Sequence, residues 1–222
     1  MYINITFVKK IIIFGCGGNS RDILDLIKSI NSISQQYDFV GFLDDDEKLQ
    51  NKNINGAKVI GKIRDAKKYA SCCFINGIYS LINFGENERI ILSLGIPDIK
   101  FATLVHPSAI LTRTVKIGKG SAIFQNCSIM SNTIIGKHVN VQPNCVISHD
   151  NFIDDYSFIA NSVSTGGYVK FGKNVFIGMN STIRERLKIG SKSIVGMGSV
   201  VLDDIPSKNI FVGNPAKLLE KN

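Results

Sequence analysis

The stretch Val141-Gln142-Pro143-Asn144-Cys145-Val146-Ile147-Ser148-His149-Asp150-Asn151-Phe152-Ile153-Asp154-Asp155-Tyr156-Ser157-Phe158-Ile159 carries an aliphatic residue at every sixth position. Followed outward, the beat runs through seventeen consecutive positions from Val105 to Val201, and sixteen are Ile, Val, Leu or Phe. Only Thr165 breaks the column. Those four types make up 75 of the 222 residues, so chance does not produce the run. A period of six fits neither a helix, at 3.6, nor a lone strand, at two. It fits a parallel β-helix, in which short strands wind around a core and equivalent positions stack on successive turns. The beat residue points inward, and burying each one contributes about 1.5–3 kcal/mol before chain entropy is subtracted.

The position four after the beat is small or β-branched at most turns, as at Ser121, Cys127, Thr133, Cys145, Ser157 and Ser181. That suits the narrow interior of a triangular prism. Glycine follows the beat at Gly118, Gly136, Gly166, Gly172, Gly178, Gly190 and Gly196, which predicts tight corners that other residues would strain. The pattern resembles the hexapeptide-repeat, left-handed parallel β-helix of bacterial acyltransferases. By that resemblance three hexads make one coil, and residues 105–201 make about five coils, a prism about 25 Å tall.

Residues 10–100 read differently. Lys10–Phe14 is an apolar run typical of a buried parallel strand. It ends in Gly15-Cys16-Gly17-Gly18-Asn19-Ser20, and a helix follows with Ile23, Leu24, Ile27 and Ile30 on one face. Phe39–Leu43 is a second strand ending in Asp44-Asp45-Asp46, residues 63–69 a helix, Cys72–Ile75 a third strand before Asn76-Gly77, and residues 86–94 another helix. Alternating strands and helices predict a small α/β, Rossmann-like domain over residues 1–104, with the β-helix and a tail over 105–222. Glycines let backbone approach a ligand, and a helix N-terminus suits a phosphate. Taken alone, the signal is weak, and a plain strand-to-helix turn with no ligand is an alternative. A dinucleotide fingerprint would have glycine where Ser20 stands.

Composition narrows the classes. Lys and Arg number 26 against 18 Asp and Glu, a net charge of +8. That balance suits a solvated lysine-rich surface or attraction to anionic small molecules. No basic block interleaved with aromatics points to nucleic acid, and no run of eighteen apolar residues points to a membrane span. Five cysteines with no metal or redox spacing suit reduced thiols in a cytoplasm.

Read over its full length, the chain resembles the bacterial sugar O- and N-acyltransferases with hexapeptide repeats, of the sialic-acid O-acetyltransferase and bacillosamine-pathway type. The residues that carry the likeness are Gly15-Cys16-Gly17-Gly18-Asn19, Phe42-Leu43-Asp44-Asp45, Ile75-Asn76-Gly77, His106-Pro107-Ser108-Ala109 and Gly213-Asn214-Pro215-Ala216-Lys217. The resemblance implies nucleotide contacts at Gly17, Gly18, Asn19, Asp44, Asp45 and Gly77. It implies acetyl-CoA as co-substrate, no metal, a homotrimer with the site between subunits, and coenzyme contacts at Gly167, Gly178 and Met179. Relatives place a second histidine nine positions after the catalytic one; here that position is Phe158, so a backbone N–H or water must serve the thioester oxygen.

Three histidines are available, His106, His138 and His149. His106 reads as structural and His138 as a solvated surface residue. His149 in Ser148-His149-Asp150 resembles the family's catalytic step and is the expected general base, with Asp150 orienting it. A neutral imidazole accepts the proton that an attacking amine or hydroxyl loses, and a neighbouring carboxylate steadies the imidazolium. A zinc site of the hexapeptide carbonic anhydrase kind needs three converging histidines, and these three are not spaced by whole coils. The leading expectation is acetyl-CoA-dependent N-acetylation of a nucleotide-linked amino-deoxysugar. The alternative is O-acetylation of sialic acid or another sugar hydroxyl, and a non-catalytic assembly β-helix is the reading from another class.

Overall fold

A computed structural model describes residues 8–54, 56–79 and 85–220. The N-terminal part opens with β1 (Lys9–Phe14), whose last four residues are buried. Helix α1 (Gly18–Ile33) buries Ile23, Leu24, Ile27 and Ile30, as their spacing predicts. Then come β2 (Tyr37–Leu43), β3 (Asn53–Ile54), β4 (Ala57–Gly61), β5 (Cys73–Asn76) and helix α2 (Glu86–Ser93). The sheet order is β3-β4-β2-β1-β5, parallel except for the β3–β4 hairpin. That hairpin is absent from the sequence reading, although Asn55-Gly56 is a recognised hairpin signal. Residues 63–69, expected as a helix, form one of the tighter 3-10 kind.

Phe101 bridges to Phe74 beside β5, and the chain passes straight into the first prism strand, Leu104–Val105. From there two-residue strands pair in parallel with the strand one coil on, Ser128 with Val146 and Ile135 with Ile153. Three faces result. The first contains Leu104–Val105, Asn140–Val141, Phe158–Ile159 and Phe176–Ile177; the second Val146–Ile147 and Ser164–Thr165; the third Ile134–Ile135 and Phe152–Ile153. The beat residues from Ile123 to Val201 are all buried. Val105, Leu111 and Ile117 are half-buried and pack on the same core at its first coil.

The corners correct one expectation. The glycines that follow the beat do not carry the left-handed backbone. That conformation falls three residues after the beat, at Asn126, Asn132, His138, Asn144, Asp150, Tyr156, Ser162, Tyr168, Asn174, Asn180, Arg186 and Lys192. Asparagine recurs there because its short amide tolerates φ > 0. The beat-following glycines serve packing instead: a Cβ on Gly118 would stand 2.5 Å from the Gly136 carbonyl of the next coil, and one on Gly178 2.5 Å from the Met197 nitrogen.

The N-terminal part packs on the first prism face and its neighbouring corner. Ala122 and Phe124 join the core of α1 and the sheet. Tyr156 joins Phe14, Phe74 and Phe101. Glu88 of α2 accepts hydrogen bonds from Lys173 Nζ at 3.0 Å and Asn174 Nδ2 at 2.7 Å. Among the described residues no helix is long and apolar enough to cross a membrane.

Candidate active site

His149 stands at the corner between the second and third faces, with its side chain 53% exposed. Its Nδ1 is 2.7 Å from Asp150 Oδ2. Asp150 occupies the left-handed corner position, and its other oxygen accepts from Asn132 Nδ2 one coil below, at 3.1 Å. Hydrogen bonds from His149 first, then Asn132 and Tyr168, hold its carboxyl below the usual carboxylate range. An ionised Asp150 accepts a hydrogen bond from Nδ1–H, which leaves Nε2 as the nitrogen with a free lone pair, the form a proton acceptor needs.

Gly167, one coil up, explains how the ring is seated. A Cβ there would lie 2.6 Å from His149 Cε1 and 2.8 Å from Nε2. Glycine at 167 is therefore the space the imidazole occupies. Tyr168 closes the other side, its ring edge-on to the imidazole at 5.2 Å, with the Arg186 guanidinium 4.7 Å over the tyrosine ring.

The expected nucleotide residues lie on the opposite side of the same chain, above the first face. Gly17 caps α1 and is exposed, and a Cβ on it would meet nothing within 4 Å. Gly18 is exposed too, and a Cβ on it would meet only the end of the Arg21 side chain, at 3.9 Å. The other expected contacts carry structural duties. Asp44 accepts from the Cys16 N–H and the Asp46 N–H, both at 2.8 Å. Asp45 accepts from the Ile63 N–H. Asn19 donates to the Gly77 carbonyl and accepts from Asn140 Nδ2 and Gln142 Nε2, tying the loop to the prism. Gly77 is buried, and a Cβ on it would meet Ser20 Oγ at 2.3 Å. Ser20 itself is buried and bonds the Phe14 and Gly77 carbonyls. It pins two loops together where a dinucleotide fingerprint has its third glycine.

Two histidines stand apart from this chemistry. His106 Nδ1 accepts from the Ser108 N–H at 3.0 Å in a local turn, a structural role. His138, expected at the surface, is 1% exposed. It stacks on Tyr156 at 4.9 Å and lies edge-on to Phe101 at 4.6 Å, while the Tyr79 hydroxyl donates to its carbonyl. The N-terminal part covers this corner, and that overturns the surface reading. Burial pushes the His138 pKa down to about 4, partly opposed by Asp98.

Phe158 lies on the first face between Tyr79 and Phe176, with ring centroids 5.4 and 5.3 Å away. Met179 is exposed at the corner between the first and second faces, next to the buried Gly178. One chain therefore separates His149 and Gly167 from Phe158, Met179 and the glycine loop by the width of the prism. Among the described residues no cluster of three or more His, Cys, Asp or Glu is placed to hold a metal.

Comparison with known proteins matches residues 10–88 to the PglD N-terminal domain and residues 114–149 to the bacterial transferase hexapeptide repeat. GDP-perosamine N-acetyltransferase of Escherichia coli O157:H7 is 27% identical, covering 95% of this chain and 96% of its own length. The acetyltransferase domain of PglB from Neisseria gonorrhoeae FA1090, in complex with acetyl coenzyme A, is 24% identical with a TM-score of 0.84 over 96% of this chain and all of the other. A mutant GDP-perosamine N-acetyl transferase from Caulobacter crescentus, in complex with CoA and GDP-perosamine, is 20% identical with a TM-score of 0.82 over 96% and 98%. The likeness of fold spans both parts of the chain, and the coil is left-handed.

Proposed function

We propose that this chain, which belongs to the bacterial sugar acyltransferases with hexapeptide repeats, transfers an acetyl group from acetyl-CoA to the amino group of a nucleotide-linked amino-deoxysugar. The observation that carries this reading is the exposed imidazole of His149, bonded through Nδ1 to Asp150 and seated on Gly167. The neutral amine attacks the thioester carbonyl, Nε2 accepts the ammonium proton, and the tetrahedral intermediate expels the coenzyme thiolate, which takes up that proton. Asp150 steadies the imidazolium, and base catalysis of this kind contributes typically about 10²–10⁴-fold.

A second copy completes the site. The glycine loop and the imidazole of one chain lie on opposite sides of the prism, so a neighbour supplies one to the other. The second and third faces expose Ile110, Val146, Ile134 and Phe152, apolar surface suited to packing prisms as a homotrimer. In that arrangement Gly167 of one copy and Phe158, Gly178 and Met179 of the next line the coenzyme path. Gly17 and Gly18 give the nucleotide its open backbone. Asp44, Asp45, Asn19 and Gly77 hold that loop in shape, and each carboxylate keeps a further lone pair for the nucleoside.

The deciding assay offers acetyl-CoA with UDP-, dTDP- and GDP-linked 4-amino-deoxysugars and with free sialic acid. Turnover of one amino sugar is the expected result; turnover of sialic acid alone, or of nothing with no acetyl-CoA binding, overturns it.

A further inference from the structure

Two departures from the repeat meet at one rung of the prism. Thr165 is the one polar residue in the aliphatic ladder. Asn151 stands in the inner row that serine, cysteine, threonine and valine otherwise fill around it, and it is 1% exposed. At the rungs on either side, the amide after the beat donates to the beat residue one coil on: Met130 to the Ile147 carbonyl at 2.9 Å, Gly166 to the Ile183 carbonyl at 2.8 Å. The Ser148 N–H goes to the Thr165 hydroxyl, at 3.3 Å. The Ser148 carbonyl accepts twice, from Asn151 Nδ2 at 2.7 Å and Thr133 Oγ1 at 2.9 Å. Asn151 Nδ2 also reaches Thr165 Oγ1 and the Gly166 carbonyl, each at 3.0 Å, and its Oδ1 accepts from the Val169 N–H at 2.7 Å.

The fold does not require this arrangement. Ser157, in the same row, meets the equivalent groups unaided, bonding the Gly172 carbonyl and the Val175 N–H. Asn151 performs that task and adds two bonds, both aimed at the rung of Ser148. The other sixteen of the seventeen ladder positions are Ile, Val, Leu or Phe, so a valine at 165 suits the core. The residue so held, through both its N–H and its carbonyl, is the one immediately before His149. We infer that Thr165 and Asn151 are positioning residues that clamp the Ser148 peptide and thereby fix the imidazole against Gly167 and Asp150. The inference rests on the reading of His149 as the base.

Three variants test it. Thr165→Val leaves the Ser148 N–H to seek the residue 165 carbonyl, as at the other rungs, and Asn151→Ser restores the ordinary inner row. Both are expected to keep the thermal midpoint, to keep KM for acetyl-CoA and the amino-sugar nucleotide, and to lose about tenfold in kcat, since small misplacements of a reacting group are costly. Thr165→Ser, which keeps the hydroxyl, is expected to hold kcat within about twofold. In NMR spectra without substrate, the His149 Cε1–H signal moves in the first two variants while those of His106 and His138 stay. Wild-type kcat with an unmoved His149 signal in Thr165→Val overturns the clamp. So does a kcat loss that follows the thermal midpoint or that Thr165→Ser fails to rescue. If His149→Ala retains turnover, the base reading falls, and the NMR signal still decides the clamp.

Discussion

His138 and His149 sit at two corners of one prism, and each ring lies where a neighbouring glycine leaves room, Gly120 for the first and Gly167 for the second. At the first corner the histidine itself takes the left-handed position; at the second Asp150 takes it and the histidine precedes it. The N-terminal part covers the first corner with Phe101 and Tyr79. There the imidazole becomes a packing element, and among the described residues its Nδ1 has no hydrogen-bond partner. The second corner is bare, and its imidazole keeps a carboxylate partner and access to solvent. A repeat thus offers near-equivalent places for a side chain, and what covers each place decides whether it serves folding or chemistry.

The sharpest way to break this contrast is to truncate each ring. His149→Ala is expected to lower kcat at least about a hundredfold with little change in thermal midpoint, because on the proposed mechanism the ring accepts the proton while it contributes little burial. Asp150→Asn is expected to lose less, since the imidazole remains but its imidazolium loses the charge that stabilises it. Steady-state kinetics beside thermal unfolding measures both. Near-normal turnover in His149→Ala would remove the chemical half of the contrast.

Gly167→Ala probes the same corner more gently. The glycine has an ordinary φ, so alanine adds no backbone strain; its methyl instead meets the imidazole 2.6 Å away. The ring must turn off Asp150 or the coils must part. An expected loss of about tenfold in kcat follows from misplacing the base. A crystal structure with the His149–Asp150 bond intact and unchanged kinetics would assign Gly167 to coenzyme contact alone.

Much of this was legible in the chain. A six-residue ladder is a periodic signal, and periodicity survives without knowledge of tertiary contacts, so the wound parallel strands were open to reading; three hexads to a coil, and with them the eighteen-residue stacking, followed from resemblance. The Ser148-His149-Asp150 step was legible through resemblance. What escaped depended on long-range docking. His138 is buried by Phe101 and Tyr79, which are remote in sequence. Asn19, Asp44 and Asp45 are occupied by groups that only the folded loops bring near. The left-handed corners had a signal, the asparagine column three residues after the beat, less conspicuous in the sequence than the glycines. Thr165 stood out as the exception to the ladder, whereas Asn151 in the inner row was not singled out. Their partnership required coordinates, because it joins two rows of the prism across adjacent coils.

The smallest effect concerns the buried corner and tests the contrast from its other side. Folded His138 titrates near about 4, against about 6.5 in an unfolded chain. Between those values the unfolded state holds the extra proton, so stability is full above about pH 6.5 and falls as the solution is acidified. At pH 5 the loss from this one ring amounts to about 2 kcal/mol. His138→Asn keeps a residue that tolerates the left-handed backbone while removing the titrating group. It is expected to lower stability at neutral pH through lost stacking on Tyr156 and Phe101, yet to flatten the dependence between pH 7 and 5 by about that amount. Denaturant unfolding of both proteins at the two pH values reads the difference directly. Turnover at neutral pH is expected to change far less than in His149→Ala, because this ring touches no reacting group. Equal pH slopes in the two proteins would mean that burial does not hinder protonation of the His138 ring.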